Sequence, residues 1–365
     1  MNRHAKSSKA CAVATVLTAL SLILLPGCGQ DGNPKADRPT PSWPQGAIVA
    51  ELSYAAGANS IPSTLAELAI LGFDTVLFDA HVTPPPLLWR HIETAKALQL
   101  QVAVDIGSPG DNLPDMAGDP LTLRPQGISH VDGLVLSLQS SADLDDARAL
   151  QSTLQQAKSN AVLIADLGPP GARPGISLPQ GIFAAVLLDD GSAGPLLPTS
   201  TRSQHPSGAQ GYTEAGTLPQ WRRIRHCQPA IDSRCNEDIR RLVTGFMQAA
   251  VPVTGVIDGA YWHEVYSSLI ALRQSTPWLH EGQLEWYAAD AQAPVLAYRL
   301  TNDKRQHILV AVNVSEGHEQ LPLPSGFMAV SKVRLWTSYD PTIRELVTSK
   351  PIVLPARSAV VVIDK

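Results

Sequence analysis

Residues 75–105, TVLFDAHVTPPPLLWRHIETAKALQLQVAVD, hold one complete strand–helix–strand unit. Thr75 to Phe78 and Gln101 to Asp105 are short, mainly apolar runs, the pattern of strands buried on both faces of a parallel sheet. Between them Leu87 to Leu98 spaces its apolar residues as a helix does, behind a proline cluster that marks its start. A strand, a crossover helix and a second strand predict a right-handed β/α unit.

The unit recurs in both directions. Upstream, Ala47 to Leu52 reads as a first strand and Ser63 to Leu71 as the helix behind it. Downstream come strand-like runs at Gly133 to Leu138, Ala161 to Ala165 and Gly181 to Leu188, with weaker ones at Ile224 to His226 and Val253 to Ile257. Helical spacing over Ala142 to Lys158, Asn236 to Ala250 and His263 to Ser275 fills crossover positions. Eight strands over residues 47–276 predict a (β/α)8 barrel, with the long Gly, Ser, Pro and Thr-rich loop from Asp189 to Gln220 covering one rim. After Trp278 strands follow one another at roughly ten-residue spacing with no helix between them, which predicts an antiparallel β-sandwich over residues 283–365.

The first residues carry a different signal. Arg3, Lys6 and Lys9 precede an apolar run from Ala12 to Leu25 that ends at Leu25-Pro26-Gly27-Cys28. A basic start and a short apolar run predict an export signal over residues 1–27. Its ending resembles a bacterial lipobox, which implies acylation of Cys28, a membrane anchor without a spanning helix. Residues 28–46 are polar and proline-rich, as a tether is. Gly29 stands where an aspartate would signal inner-membrane retention, so the expected location is the outer membrane of the cell envelope.

The net charge of −5 carries no long run of one sign, which argues against nucleic acid as a partner. Of four cysteines, Cys11 leaves with the signal and Cys28 is the lipidation site. Cys227 and Cys235 remain, and in an exported chain a disulfide is the preferred reading over two buried thiols. His226 is the only further ligand close to them, so no metal or other cofactor is implied.

Three groups of residues resemble the α-amylase superfamily of glycoside hydrolases. Val131-Asp132-Gly133-Leu134-Val135-Leu136-Ser137 resembles that family's fourth barrel strand, and Val102 to Asp105 its third. Tyr266 to Arg273, Pro277-Trp278-Leu279, Val295 to Arg299, Ile308 to Asn313 and Leu354 to Ala359 resemble its last barrel helix and C-terminal sandwich in order and spacing. The family's large insertion after the third strand is nearly absent. The resemblance places the catalytic nucleophile at Ser137 and its supporting arginine at Val135. It puts the general acid at Ala165-Asp166, a first-motif carboxylate at Asp105 and the remaining acid at Arg225-His226-Cys227. Pro109 and Gly110 stand where the family keeps Asn and His.

A serine without a base is a poor nucleophile and cannot stabilise an oxocarbenium ion as an anion does. These positions therefore read as relics, and no catalytic residue is expected. Asp166 reads as a solvated rim carboxylate capping the turn before Pro169-Pro170, or as a relic acid; Asp105 reads as a holder of rim loops. Asp79, His81, Asp189 and Asp190 near strand ends are the replacements available if catalysis has moved. Trp221 and Trp262, in or beside expected loops, are the sugar-stacking candidates.

The expectation is a lipid-anchored barrel that binds glycan or docks a membrane protein. This resembles the inactive α-amylase-like heavy chains of amino-acid transporters. The alternative is an active glycoside hydrolase or transglycosylase acting on α-glucosides through rearranged carboxylates.

Overall fold

A strand lies at or beside each expected barrel position in the computed structural model, with the sixth beginning at Ala185 and not at Gly181. The structure describes residues 43–52, 61–81, 83, 85–108, 130–168, 176–179, 181–189, 218–224, 238–249, 251–255, 260–280, 282–288, 293–323, 331–337, 346–348 and 351–363. All of them belong to one compact unit, Pro41–Lys365.

The strands β1 (Val49–Leu52), β2 (Thr75–Asp79), β3 (Gln101–Asp105), β4 (Gly133–Ser137), β5 (Val162–Asp166), β6 (Ala185–Asp189), β7 (Gln220–Ile224) and β8 (Val251–Gly255) pair in sequence order. β1 also pairs with β8, closing a parallel eight-stranded barrel. The helices α1 (Ile61–Leu71), α2 (Pro85–Ala97), α3 (Asp143–Ala157), α4 (Asp238–Gln248) and α5 (Ala260–Ser275) supply crossovers. The strands read as apolar runs because both faces are covered. Ala50, Val76, Val102, Leu134 and Leu163 face the helices. Val49, Leu77, Ala103, Val135, Ile164, Leu187, Trp221 and Val253 fill the barrel interior.

β7 and β8 lie earlier in the chain than expected. β7 is Gln220–Ile224 rather than a run beginning at Ile224, and β8 begins at Val251 rather than Val253. QWRRI carries two arginines and a glutamine, which hide the apolar pattern of a buried strand. Trp221, expected beside a loop as a sugar-stacking residue, is instead a fully buried barrel-interior side chain. Its indole N–H donates to the Pro44 carbonyl at 3.2 Å, so it cannot stack on a ligand.

That contact belongs to a plug. Trp43, in the last part of the expected tether, packs edge-on against Trp221 with ring centroids 6.3 Å apart and donates from Nε1 to Thr75 Oγ1 at 3.1 Å. Residues 43–46 are thus part of the barrel floor. The Val131-Asp132-Gly133 phrase serves this same end. The buried Asp132 carboxylate accepts from the Val102 N–H at 2.7 Å and from Lys158 Nζ at 2.7 Å, and it also pairs with Lys96. A Cβ on Gly133 would lie 2.7 Å from Trp43 Cη2.

Beyond α5 a short 3-10 turn, Pro277–His280, leads into an antiparallel sheet of order β14 (Leu346–Thr348), β13 (Ser331–Thr337), β16 (Ser358–Ile363), β11 (His307–Asn313), β10 (Val295–Thr301) and β9 (Gln283–Ala288). A two-stranded sheet of β12 (Glu319–Leu321) and β15 (Ile352–Leu354) packs on one face through Leu309, Ala311, Leu321, Leu354, Val360 and Val362. Leu296, Tyr298, Val310 and Val361 on the other face join the helices' core. Tyr298 Oη donates to the Thr244 carbonyl at 3.0 Å, which ties this sheet to α4.

The Tyr266-to-Arg273 phrase is structural too. Tyr266 Oη donates to the Gly255 carbonyl at 2.8 Å. Buried Arg273 donates to the Phe246 and Ala249 carbonyls at 2.6 and 2.9 Å, satisfying the C-terminus of α4, and lies over the Phe246 ring.

The plug makes a specific prediction. Gly133→Ala forces Cβ into a pinned indole and costs about 1–3 kcal/mol of unfolding free energy. In a Trp43→Ala background that cost falls to near zero, as a double-mutant cycle by denaturant unfolding will show.

Candidate functional site

The barrel interior changes character one layer above the floor. Side chains alternate along a strand, so the residue two positions after each interior apolar one faces inward as well. After Val49, Leu77, Ala103, Val135, Ile164, Trp221 and Val253 come Glu51, Asp79, Asp105, Ser137, Asp166, Arg223 and Gly255. These lie at the ends of their strands, or one residue before in the case of Glu51 and Arg223, at the C-terminal mouth of the barrel, where folds of this kind keep their sites. Asp189 ends β6 in register with Arg223.

Arg223 organises this layer. Its Nε lies 2.9 Å from Glu51 Oε1, its Nη2 3.5 Å from Asp105 Oδ2 and its Nη1 3.4 Å from Asp166 Oδ2. A guanidinium presents donors in a rigid planar fork, so one side chain can hold carboxylates arriving from β1, β3 and β5. The group is largely shielded: the side chains of Arg223 and Asp166 are 12% and 8% exposed.

The aspartates also shape their own rim turns. Asp79 accepts from the His81 N–H at 2.8 Å, Asp105 from the Gly107 N–H at 2.9 Å and Asp166 from the Gly168 N–H at 2.7 Å. The same strand-final Asp-x-(Gly/His) turn thus occurs three times. Gly107 sits at φ +66°, and a Cβ there would overlap the His81 ring, so glycine is required.

Burial pushes the Asp105 carboxyl up to about 6. The Gly107 N–H and Arg223 oppose the push, while the charges of Asp166 and Asp79 add to it.

The site residues expected from sequence distribute as follows. Ser137 ends β4, and its neighbour in register on β5 is Asp166. Asp166 caps its turn as expected but is buried in an ion network rather than solvated at the rim, because β7 delivers a guanidinium beside it. Asp105 holds a rim turn and joins the same network. Val135 is wholly inside the barrel. Trp262 lies in the first turn of α5, half-buried and packed on the main core. Cys28, Cys227, Cys235, His226 and Asp190 lie outside the described residues. Glu51 and Arg223 escaped the sequence reading. The signal for Arg223 was its spacing of two from Trp221, obscured by the polar look of β7.

No protein-family model and no curated protein matches the sequence. Solved structures do share its fold. A noncanonic maltogenic α-amylase from Thermotoga neapolitana superposes with a TM-score of 0.54 at 13% identity, covering 87% of this chain and 98% of that one. A cyclomaltodextrinase gives 0.54 at 12% identity, covering 88% and 79%. α-Galactosidase I from Mortierella vinacea gives 0.52 at 9%, covering 87% and 96%. The chain therefore has the barrel-and-sandwich fold of α-amylase-type glycoside hydrolases, an architecture that other glycoside hydrolases also share.

Arg223→Leu tests the network. Removing the guanidinium leaves shielded carboxylates without their shared counter-charge, so unfolding free energy at pH 8 should fall by about 3–5 kcal/mol. Protonated carboxyls need no counter-charge, so the loss should shrink as pH drops below about 6, the value to which Asp105 is raised.

Proposed function

We propose that this chain is an exported glycan-binding protein, held on the cell envelope by lipid at Cys28, whose barrel does not hydrolyse its ligand. One observation carries the reading. Ser137 ends the strand on which the resemblance puts the nucleophile, while three of the mouth's carboxylates, Glu51, Asp105 and Asp166, are engaged by Arg223. Retaining hydrolysis needs a free anionic attacker and a proton donor about 5–5.5 Å apart. A serine without a base is a poor attacker and cannot stabilise an oxocarbenium ion as an anion does.

The composition of the mouth favours glycan over a docked protein. Sites for small ligands place a few fixed polar groups in a concave setting, and carboxylates locked by an arginine are rigid acceptors for sugar hydroxyls. Anchoring by acyl chains at Cys28 rests on the leader sequence, and Gly29 favours the outer membrane. Among the described residues no helix is long and apolar enough to cross a membrane.

One observation favours a second reading, an active hydrolase of α-glucosides. A carboxyl raised to about 6, as Asp105 is, suits proton donation near neutral pH, with Asp166 as the anion beside it. The full-length chain in detergent, incubated with maltooligosaccharides, trehalose and α-glucans, separates the two when binding and sugar release are measured together. Binding without release is expected. Catalytic turnover that vanishes in Asp166→Asn establishes the second reading, and failure to bind or release any of them overturns both.

A further inference from the structure

His91 is a titratable side chain placed in an apolar layer. It lies on α2 beside Leu88, Ile92 and Ala95, which join the main core, and its ring stacks on Phe78 of β2 with centroids 6.2 Å apart and planes 23° apart. The residue is 1% exposed, and neither ring nitrogen has a hydrogen-bond partner among the described residues. A neutral imidazole is tolerated in such a place at modest cost. An imidazolium, with a full charge and two unpaired N–H donors, is not.

The charged groups on the neighbouring elements do not offset that cost. On β2 and β3, Asp79 and Asp105 face the barrel interior, on the opposite side of their strands from Phe78 and Val104. On α1, Glu67 pairs with His263 of α5. On α2 itself Lys96 pairs with Asp132, Glu93 is exposed, and Arg90 acts on the ring with the same sign as an imidazolium. Burial first, and the Arg90 charge after it, therefore hold the His91 ring below the ordinary imidazole value.

We propose that His91 is an acid switch in the packing of α2 on the barrel: protonation of its ring releases the helix from β2, the strand that carries Asp79 to the mouth. Once α2 lifts away, the ring reaches water and holds its proton without penalty. The folded value lies below the unfolded one, so this group's contribution to packing is complete above about pH 6.5 and is lost as pH falls below it. The switch operates whether or not the mouth binds glycan, and Phe78, next to Asp79 in the chain, is the side chain that would transmit it.

Hydrogen exchange of the full-length chain in detergent, corrected for the intrinsic pH dependence of exchange and read by mass spectrometry, tests this. Amides of α2 should open about tenfold more at pH 5 than at pH 7.5, while those of β11 in the sandwich change by less than about twofold. In His91→Phe, which keeps a ring on Phe78, and in His91→Gln, which keeps a polar side chain that does not titrate, the α2 change should shrink to within about twofold. An α2 response that persists in either folded variant overturns the proposal, as does α2 exchange in the unsubstituted chain that does not respond to acid. NMR titration of the His91 ring in the unsubstituted chain needs no variant to fold. A midpoint below 6.5 that tracks the opening of α2 is expected, and one at or above 6.5 overturns the proposal.

Discussion

Arg223 is the one guanidinium among the described residues of the barrel mouth, and the carboxylates of three strands converge on it. Without a shared counter-charge, carboxylates this shielded would repel one another and take up protons. With it, Glu51, Asp105 and Asp166 hold fixed positions, and β1, β3, β5 and β7 are cross-linked through the barrel interior. The Asx turns that carry the chain over the rim grow from two of those same aspartates. The placement of these three carboxylates and the local charge therefore rest on a single arginine.

The floor and the mouth of the barrel tell different stories. Phrases that resemble α-amylase-type enzymes do structural work here. Asp132 binds two lysines and a backbone N–H, Gly133 makes room for Trp43, Tyr266 holds the end of β8, and Arg273 caps α4. Where the resemblance puts catalytic groups, Val135 is sealed in the core and Ser137 stands at the mouth. The residues that build this architecture are thus not the ones to which the resemblance assigns catalysis.

Much of this was legible in the sequence, for physical reasons. β2, β3, β5 and β6 are bracketed by clear turn chemistry and read as apolar runs, because a barrel strand is buried on both faces. The sandwich strands β10 and β11 alternate cleanly between two cores. β7 failed the same reading because three of its five residues are polar, one of them the arginine that the carboxylates of the barrel interior pair with. Trp43 failed for a related reason: among prolines it looks like tether, and only the closed barrel reveals its place against Trp221. Glu51 gave no local sign at all, since its partner lies 172 residues away.

The account turns on Asp105 being held among carboxylates by one arginine, and its own titration is the most direct probe. Carboxyl-carbon NMR of the aspartates in the full-length chain, assigned with Asp105→Asn, should give Asp105 a midpoint near 6. Because that lies above the unfolded value, this group's contribution to stability is complete in acid and lost as pH rises through about 6. The midpoint should climb further in Arg223→Leu. A midpoint near 4, the ordinary aspartate value, that does not move when Arg223 is removed would contradict it.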